Sequence, residues 1–254
     1  MTNETIASQL AHRTIRAYKE RPLTEAEIET LMEVARHTAT ASYLQGYTVL
    51  HITDPQVREK IYAASGQPYV GGTKGDMFIF VVDLYRNSRI RAEQGVSSEA
   101  LSSMNLFLTG AEDALLAAQN VVVAAESMGL GTVYLGSILA DPRLVVDALE
   151  LPELTFPILG LLVGHSDQEP GQKPRLPPVY PDCREHLPAR RILHRGSRRL
   201  RPRGHRVLRP AIRLAPGVLH TPGYQRHRRG RRTRVPHHAG PQRAGPVPAL
   251  NPSH

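Results

Sequence analysis

Thr24 and Glu27 stand three apart, directly ahead of Ile28, Leu31, Met32 and Ala35. A threonine with glutamate at the third following position forms a capping box, and apolar residues at three- and four-residue spacing share one helix face. The pattern therefore predicts an amphipathic helix from Thr24 to about Thr38. "YTVLHIT", Tyr47 to Thr53, predicts a strand. Asp54-Pro55 supplies an N-cap followed by proline at the first helical position, opening a helix to about Ala64. "MFIFVVDL", Met77 to Leu84, is almost continuously apolar and predicts a strand covered on both faces.

The strongest helical pattern is "TGAEDALLAAQNVVVAAESMG". Thr109 with Glu112 reads as a second capping box and Gly129 as the stop, around an alanine- and valine-rich body suited to a central buried helix or a subunit interface. "GTVYLG" predicts a short strand, Asp141-Pro142 a helix to about Leu149, and Phe156–Gly164 a last buried strand. Helices and strands interleave, so the expected class is α+β, an α/β sandwich with a mixed central sheet flanked by helices.

The formal charge of +9 suggests a polyanionic partner until its distribution is considered. Residues 1–180 carry 14 Lys+Arg against 21 Asp+Glu, whereas 181–254 carry 18 Arg, no Lys and two acids. The basic character thus belongs to the C-terminal segment. That segment also holds eleven of the 21 prolines and shows no sustained apolar period, which separates an expected domain 1–177 from a tail 178–254. The tail lacks lysine and, beyond residue 181, has Tyr224 as its one aromatic, which argues against nucleic-acid binding. The composition reads either as a disordered basic tail or as what a GC-rich gene yields out of frame. Assigning permissible codons to Arg191–Ile212 and shifting by one base reads "ASYTEALADYDREVTEYYDRQ", an acidic, amphipathic, helix-like string. The expectation is a frameshift between about Pro177 and Arg191.

The single cysteine, Cys183, excludes a disulfide framework and any multi-cysteine zinc site. His51 and His165 lack spaced partners and read as structural rather than as metal ligands. Ser97, Ser98, Ser102 and Ser103 sit in an expected loop without a nucleophile elbow. "MTNETIASQL" lacks the pattern of a secretory signal, and no uncharged run of eighteen apolar residues occurs, so a cytoplasmic protein with no membrane partner is expected. The glycines of "GLGTVYLG" precede a strand instead of following one, the reverse of a dinucleotide fingerprint.

Two cationic pairs stand out. Arg13 and Arg16, three apart, would point the same way at a helix start, with His12 and Thr14 as further donors. Lys173 and Arg175 lie in "QKPRLP", where alternate side chains of an extended segment share a side. Together the pairs would suit one phosphorylated ligand.

"HRTIRAY", "TATASYLQGYTVLHITD", "AAQNVVVAAESMGLGTVYLGSI" and "KPRLP" occur in that order. With these four stretches the chain, from residue 5 to about 177, resembles the FMN-dependent nitroreductase superfamily, in its NADPH-dependent nitroreductase and flavin reductase branch. The resemblance implies FMN phosphate and ribityl contacts at His12, Arg13, Thr14, Arg16, Lys173 and Arg175. It also implies a loop over the ring at Thr40, Ser42, Tyr43 and Leu44, a ring-edge contact at Gln67, and a stretch beside the isoalloxazine at Tyr134, Leu135, Gly136 and Ser137. Thr14 stands where serine is usual, and Ser137 where the family has a second glycine, adding bulk beside the ring. The implied protein is a homodimeric oxidoreductase. It would take hydride from NADPH or NADH through FMN to a nitroaromatic, quinone or flavin acceptor, with no catalytic side chain of its own. The rival readings are a flavin-binding protein without turnover and a nucleic-acid-binding protein acting through the basic tail.

Overall fold

The computed structural model describes residues 2–175, and these lie within one compact unit. Cys183, the arginine-rich segment and the interval assigned to the frameshift lie outside the described residues. In chain order the elements are α1 (Glu4–Leu10), α2 (Glu25–Arg36), β1 (Tyr47–Ile52), α3 (Pro55–Ser65), β2 (Asp76–Asp83), α4 (Tyr85–Glu93), α5 (Met104–Ser127), β3 (Gly131–Leu135), α6 (Pro142–Ala148) and β4 (Thr155–Gly164). Short 3-10 turns occupy Ala41–Tyr43, Glu99–Ser102 and Gly136–Ala140.

Local chemistry sets most of the boundaries. Thr24 and Glu27 exchange both capping-box hydrogen bonds at the start of α2. Asp54 accepts from the Gln56 N–H ahead of Pro55, and Asp141 from the Leu144 N–H ahead of Pro142. The second expected capping box is absent. The N-cap of α5 is Ser103, which accepts from the Leu106 N–H, and Thr109 lies inside the helix with its hydroxyl turned back onto the Asn105 carbonyl. The helix begins six residues earlier than the expected box, so Ser103 caps it and Ser102 closes a 3-10 turn.

The sheet order is β1-β2-β4-β3, and every named pairing is antiparallel. The expected parallel component is confined, among the described residues, to an isolated bridge between Thr14 and Thr132. Interleaved helices suggested parallel crossovers, but α3 and the ten residues after it return the chain to the sheet end it left. β1 and β2 are thereby antiparallel neighbours.

Alternation along β2 divides the core. Phe78 and Phe80 face α5 with Ala114, Ala117, Ala118, Val121 and Val122, with Leu31 and Ala35 of α2 joining them. Met77, Ile79 and Val81 face the other way, onto Ile61 of α3 and Val145 of α6. Although α5 is long and apolar enough to cross a membrane, one face packs on this core and it carries Glu112, Asp113 and Glu126. Its opposite face leaves Met104, Leu108, Leu115 and Leu116 exposed.

Candidate functional site

The cationic N-terminal segment is not a helix start. α1 ends at Leu10 and the next residues run beside β3, with the Ile15 N–H donating to the Thr132 carbonyl at 2.8 Å. Ile15 and Tyr18 point inward, and a Cβ added at Gly131 would come within 2.7 Å of the Ile15 side chain. This close approach explains why glycine opens β3. The Tyr18 hydroxyl donates to the Ile15 carbonyl at 2.9 Å, and burial pushes its phenol well above the usual range. Anchored by those two residues, Arg13 and Arg16 are left exposed.

At the end of α1 the two ends of the described segment meet. Gln172 donates to the Leu10 carbonyl, and Arg175 and His12 line one cavity of ≈ 210 Å³ together with Gln119, Glu126 and Tyr134. Arg175 also donates to the Lys173 carbonyl at 2.8 Å. The guanidinium of Arg16 lies 5.5 Å from the centroid of the Tyr69 ring, a cation–π geometry. Among the described residues, none of Arg13, Arg16, Lys173 and Arg175 is ion-paired to a carboxylate. Cations left without a carboxylate partner keep a net positive field that an external anion would satisfy.

Glu126 and Gln119, neither of them foreseen from sequence, shape this end. Glu126 places Oε1 2.6 Å from His12 Nδ1 and accepts from the Thr132 hydroxyl at 3.1 Å. The Tyr134 hydroxyl donates to Gln119 Oε1 at 2.9 Å; burial, with Glu126 adding to it, pushes the phenol up to about 12, so it acts as a donor. Nearby, Ser137 shares a 2.6 Å hydrogen bond with Ser65 at the end of α3, which fixes the hydroxyl that stands where glycine was expected. Gln67 follows two residues after Ser65, past Gly66 in the left-handed cap of α3.

The Thr40–Leu44 loop lies elsewhere. Its Ala41 N–H donates to Asp113 at 3.0 Å, while His12 meets Glu126 thirteen positions further along α5. At 1.5 Å rise per residue these contacts are about 20 Å apart. A single chain therefore brings together His12, Arg175 and Tyr134, with Thr14 paired to Thr132 beside Glu126, while Arg16 is placed over Tyr69 and the loop is held well away along α5. A signal for Asp113 existed in the sequence: it falls on the same helical face as Gly110, Ala114 and Ala117, where a carboxylate needs donors. Glu126 had no comparable signal.

The model of the Nitroreductase family matches residues 10–165. An FMN reductase (NADPH) of Bacillus subtilis is 41% identical over 177 residues, covering 69% of this chain and 71% of that protein. An NADPH-dependent oxidoreductase of Staphylococcus saprophyticus is 42% identical over 169 residues, 65% of this chain and 67% of its own. Among solved structures, the NfrA1 nitroreductase of B. subtilis superposes with a TM-score of 0.71 at 38% identity, covering 75% of this chain and 78% of that one. The NADPH:FMN oxidoreductase of Vibrio harveyi, complexed with NAD+, gives 0.65 at 34% identity over 69% and 74%. With the family model spanning more than half of its length and relatives at this identity, the chain belongs to the nitroreductase family.

Proposed function

We propose that the protein is an FMN-dependent oxidoreductase using NAD(P)H as electron donor and a small molecule as acceptor. The observation that carries the reading is that the segment bearing Lys173 and Arg175 folds back onto the one bearing His12, so that His12 and Arg175 line one cavity, with none of Arg13, Arg16, Lys173 and Arg175 ion-paired among the described residues. That donor set suits the phosphate of FMN, and the named relatives supply the cofactor class. Arg13, Arg16, Lys173 and Arg175 hold the phosphate by charge, with His12 and Thr14 as added donors. Gln67 and the Tyr134–Ser137 stretch flank the ring. FMN, when bound, supplies the redox chemistry, taking hydride from NAD(P)H and passing it to a nitroaromatic, quinone or flavin. The protein positions the ring and sets the charge around it.

The Thr40, Ser42, Tyr43 and Leu44 loop covers the ring held by a second copy, because its distance along α5 keeps it from the phosphate end of its own chain. The exposed Met104, Leu108, Leu115 and Leu116 supply an apolar face for that homodimer. Residues 1–177 form the cofactor-binding domain in this reading, and the protein is cytoplasmic.

The test is an absorbance spectrum of the purified protein followed by anaerobic addition of NADPH. A flavin band that bleaches supports the enzyme. A band that persists supports flavin binding without turnover, and a colourless protein that takes up no FMN overturns both.

A further inference from the structure

We propose that Asp113 is the positioning residue of the 40–46 loop, fixing its shape before any ligand arrives; that the loop covers a flavin rests on the reading above. Asp113 is 2% exposed. Its Oδ1 accepts from the Ala41 N–H at 3.0 Å and its Oδ2 from the Gly46 N–H at 3.4 Å, one donor at each end of the loop. A carboxylate so far from water is costly unless donors replace its hydration, and among the described residues these are backbone donors, with no ion pair.

Between the two tethers the backbone is strained. Ser42, Tyr43 and Gln45 have φ of 51°, 56° and 50°, a left-handed conformation that residues with side chains rarely adopt. Such a run relaxes unless its surroundings over-determine it. α4 grips the carbonyls, through Asn87 to Leu44 at 3.1 Å and through Arg86 to Gln45 and Tyr47. α5 grips the N–H groups through Asp113. Helix and loop also touch directly, since a Cβ at Gly110 would lie 2.8 Å from the Gly46 carbonyl oxygen. The result is a rigid tip that directs Tyr43, 84% exposed, away from its own core. Burial does not explain the strain; presentation of the tip to something outside this chain does.

The chemistry at position 113 is specific. Asparagine has the same shape but turns an NH2 group toward one of the two N–H donors, so the acceptor it loses becomes a clash. Removing the Ala41 N–H by proline relieves that clash, and Thr40 already has the extended backbone that a residue before proline requires.

The full chain, its D113N variant and the double variant D113N/A41P are compared by titration with FMN and with riboflavin, and by amide hydrogen exchange. The expected result is that D113N weakens both flavins by one factor, about 10–30-fold, because the loop meets the ring and not the phosphate. Exchange should quicken across residues 40–47 while β2 and β4 keep their protection, and the double variant should return to within about threefold of the parent. The proposal is overturned if D113N binds both flavins within about twofold with loop exchange unchanged, or if exchange rises equally throughout the sheet, which marks general destabilisation. Failure of the parent chain to bind any flavin would overturn the functional reading instead, and exchange over 40–47 would still decide whether Asp113 fixes the loop.

Discussion

Glu126 holds His12 by its Nδ1 atom at 2.6 Å, across 114 positions of sequence, and the same carboxylate oxygen accepts from the Thr132 hydroxyl. One ring nitrogen of His12 is thereby committed, leaving Nε2 to face a ligand. An acid beside a cationic cluster would oppose phosphate binding unless it served to orient a donor. Replacing it tests which effect dominates: E126L should weaken FMN about tenfold relative to riboflavin, whereas E126Q, which can still accept from Nδ1, should cost under about threefold. Fluorescence titration with the two flavins measures the ratio, and an E126L variant that gained FMN affinity would show that repulsion prevails.

The phosphate assignment makes a separate prediction for the arginines and lysine. R16A and K173A should each weaken FMN by about 10–100-fold, the value of one charge-assisted hydrogen bond of about 1.5–3 kcal/mol, and leave riboflavin nearly unchanged. Equal losses for both flavins would place these residues at the ring instead.

Gly131 under Ile15 predicts a packing effect away from the ligand. G131A should lower stability by about 1–3 kcal/mol in urea unfolding, because a Cβ there would meet the Ile15 side chain at 2.7–2.9 Å. The double variant G131A/I15A should lose less than the sum of the single changes, since shortening Ile15 clears the space.

Asp76 predicts how stability varies with pH. Burial alone would raise its carboxyl, but hydrogen bonds from His51 at 3.0 Å and the Leu23 N–H at 2.9 Å, with the charges of His51 and Arg58, hold it below the ordinary carboxylate range. A group depressed in the folded state stabilises the fold above its unfolded pKa, near 4, and loses that contribution as pH falls through the lower folded value. Urea midpoints should therefore drop below about pH 4, and D76N should be less stable at neutral pH with a flatter profile there.

The tail carries a genetic prediction. Similarity to the B. subtilis relative covers 71% of that protein, so more than a quarter of its length lies outside the match, comparable in size with residues 178–254 here. Resequencing the gene should find one base gained or lost between codons 177 and 191, with an acidic helix in the restored frame. An unbroken frame on repeat sequencing would refute this.

What could be read from sequence was local. Thr24 with Glu27, Asp54-Pro55 and Asp141-Pro142 placed three helix starts, because each start depends on side chains within a few residues. Thr109 with Glu112 misled for the complementary reason: the motif is present, but the turn before it is already helical, so its hydroxyl finds the Asn105 carbonyl first. α4, "YRNSRIRAE", has too few apolar residues to show a period, and its task of gripping loop carbonyls through Arg86 and Asn87 depends on a partner some forty positions away. The cationic candidates were reached from residue type and spacing, and the loop, Gln67 and Tyr134–Ser137 through resemblance. Their pairing was not, since His12 with Glu126 and Ala41 with Asp113 exist only once α5 is laid across the sheet.

The bridge between Thr14 and Thr132 has one more effect. β3 is the outermost strand on its side of the sheet, and the segment carrying Arg13 and Arg16 lies against its open flank. Uncovered strand flanks recruit other chains into aggregates. The residues that would grasp an anion thus also act as a guard rail, and a chain shortened to begin after Tyr18 should precipitate before its loss of affinity could be measured.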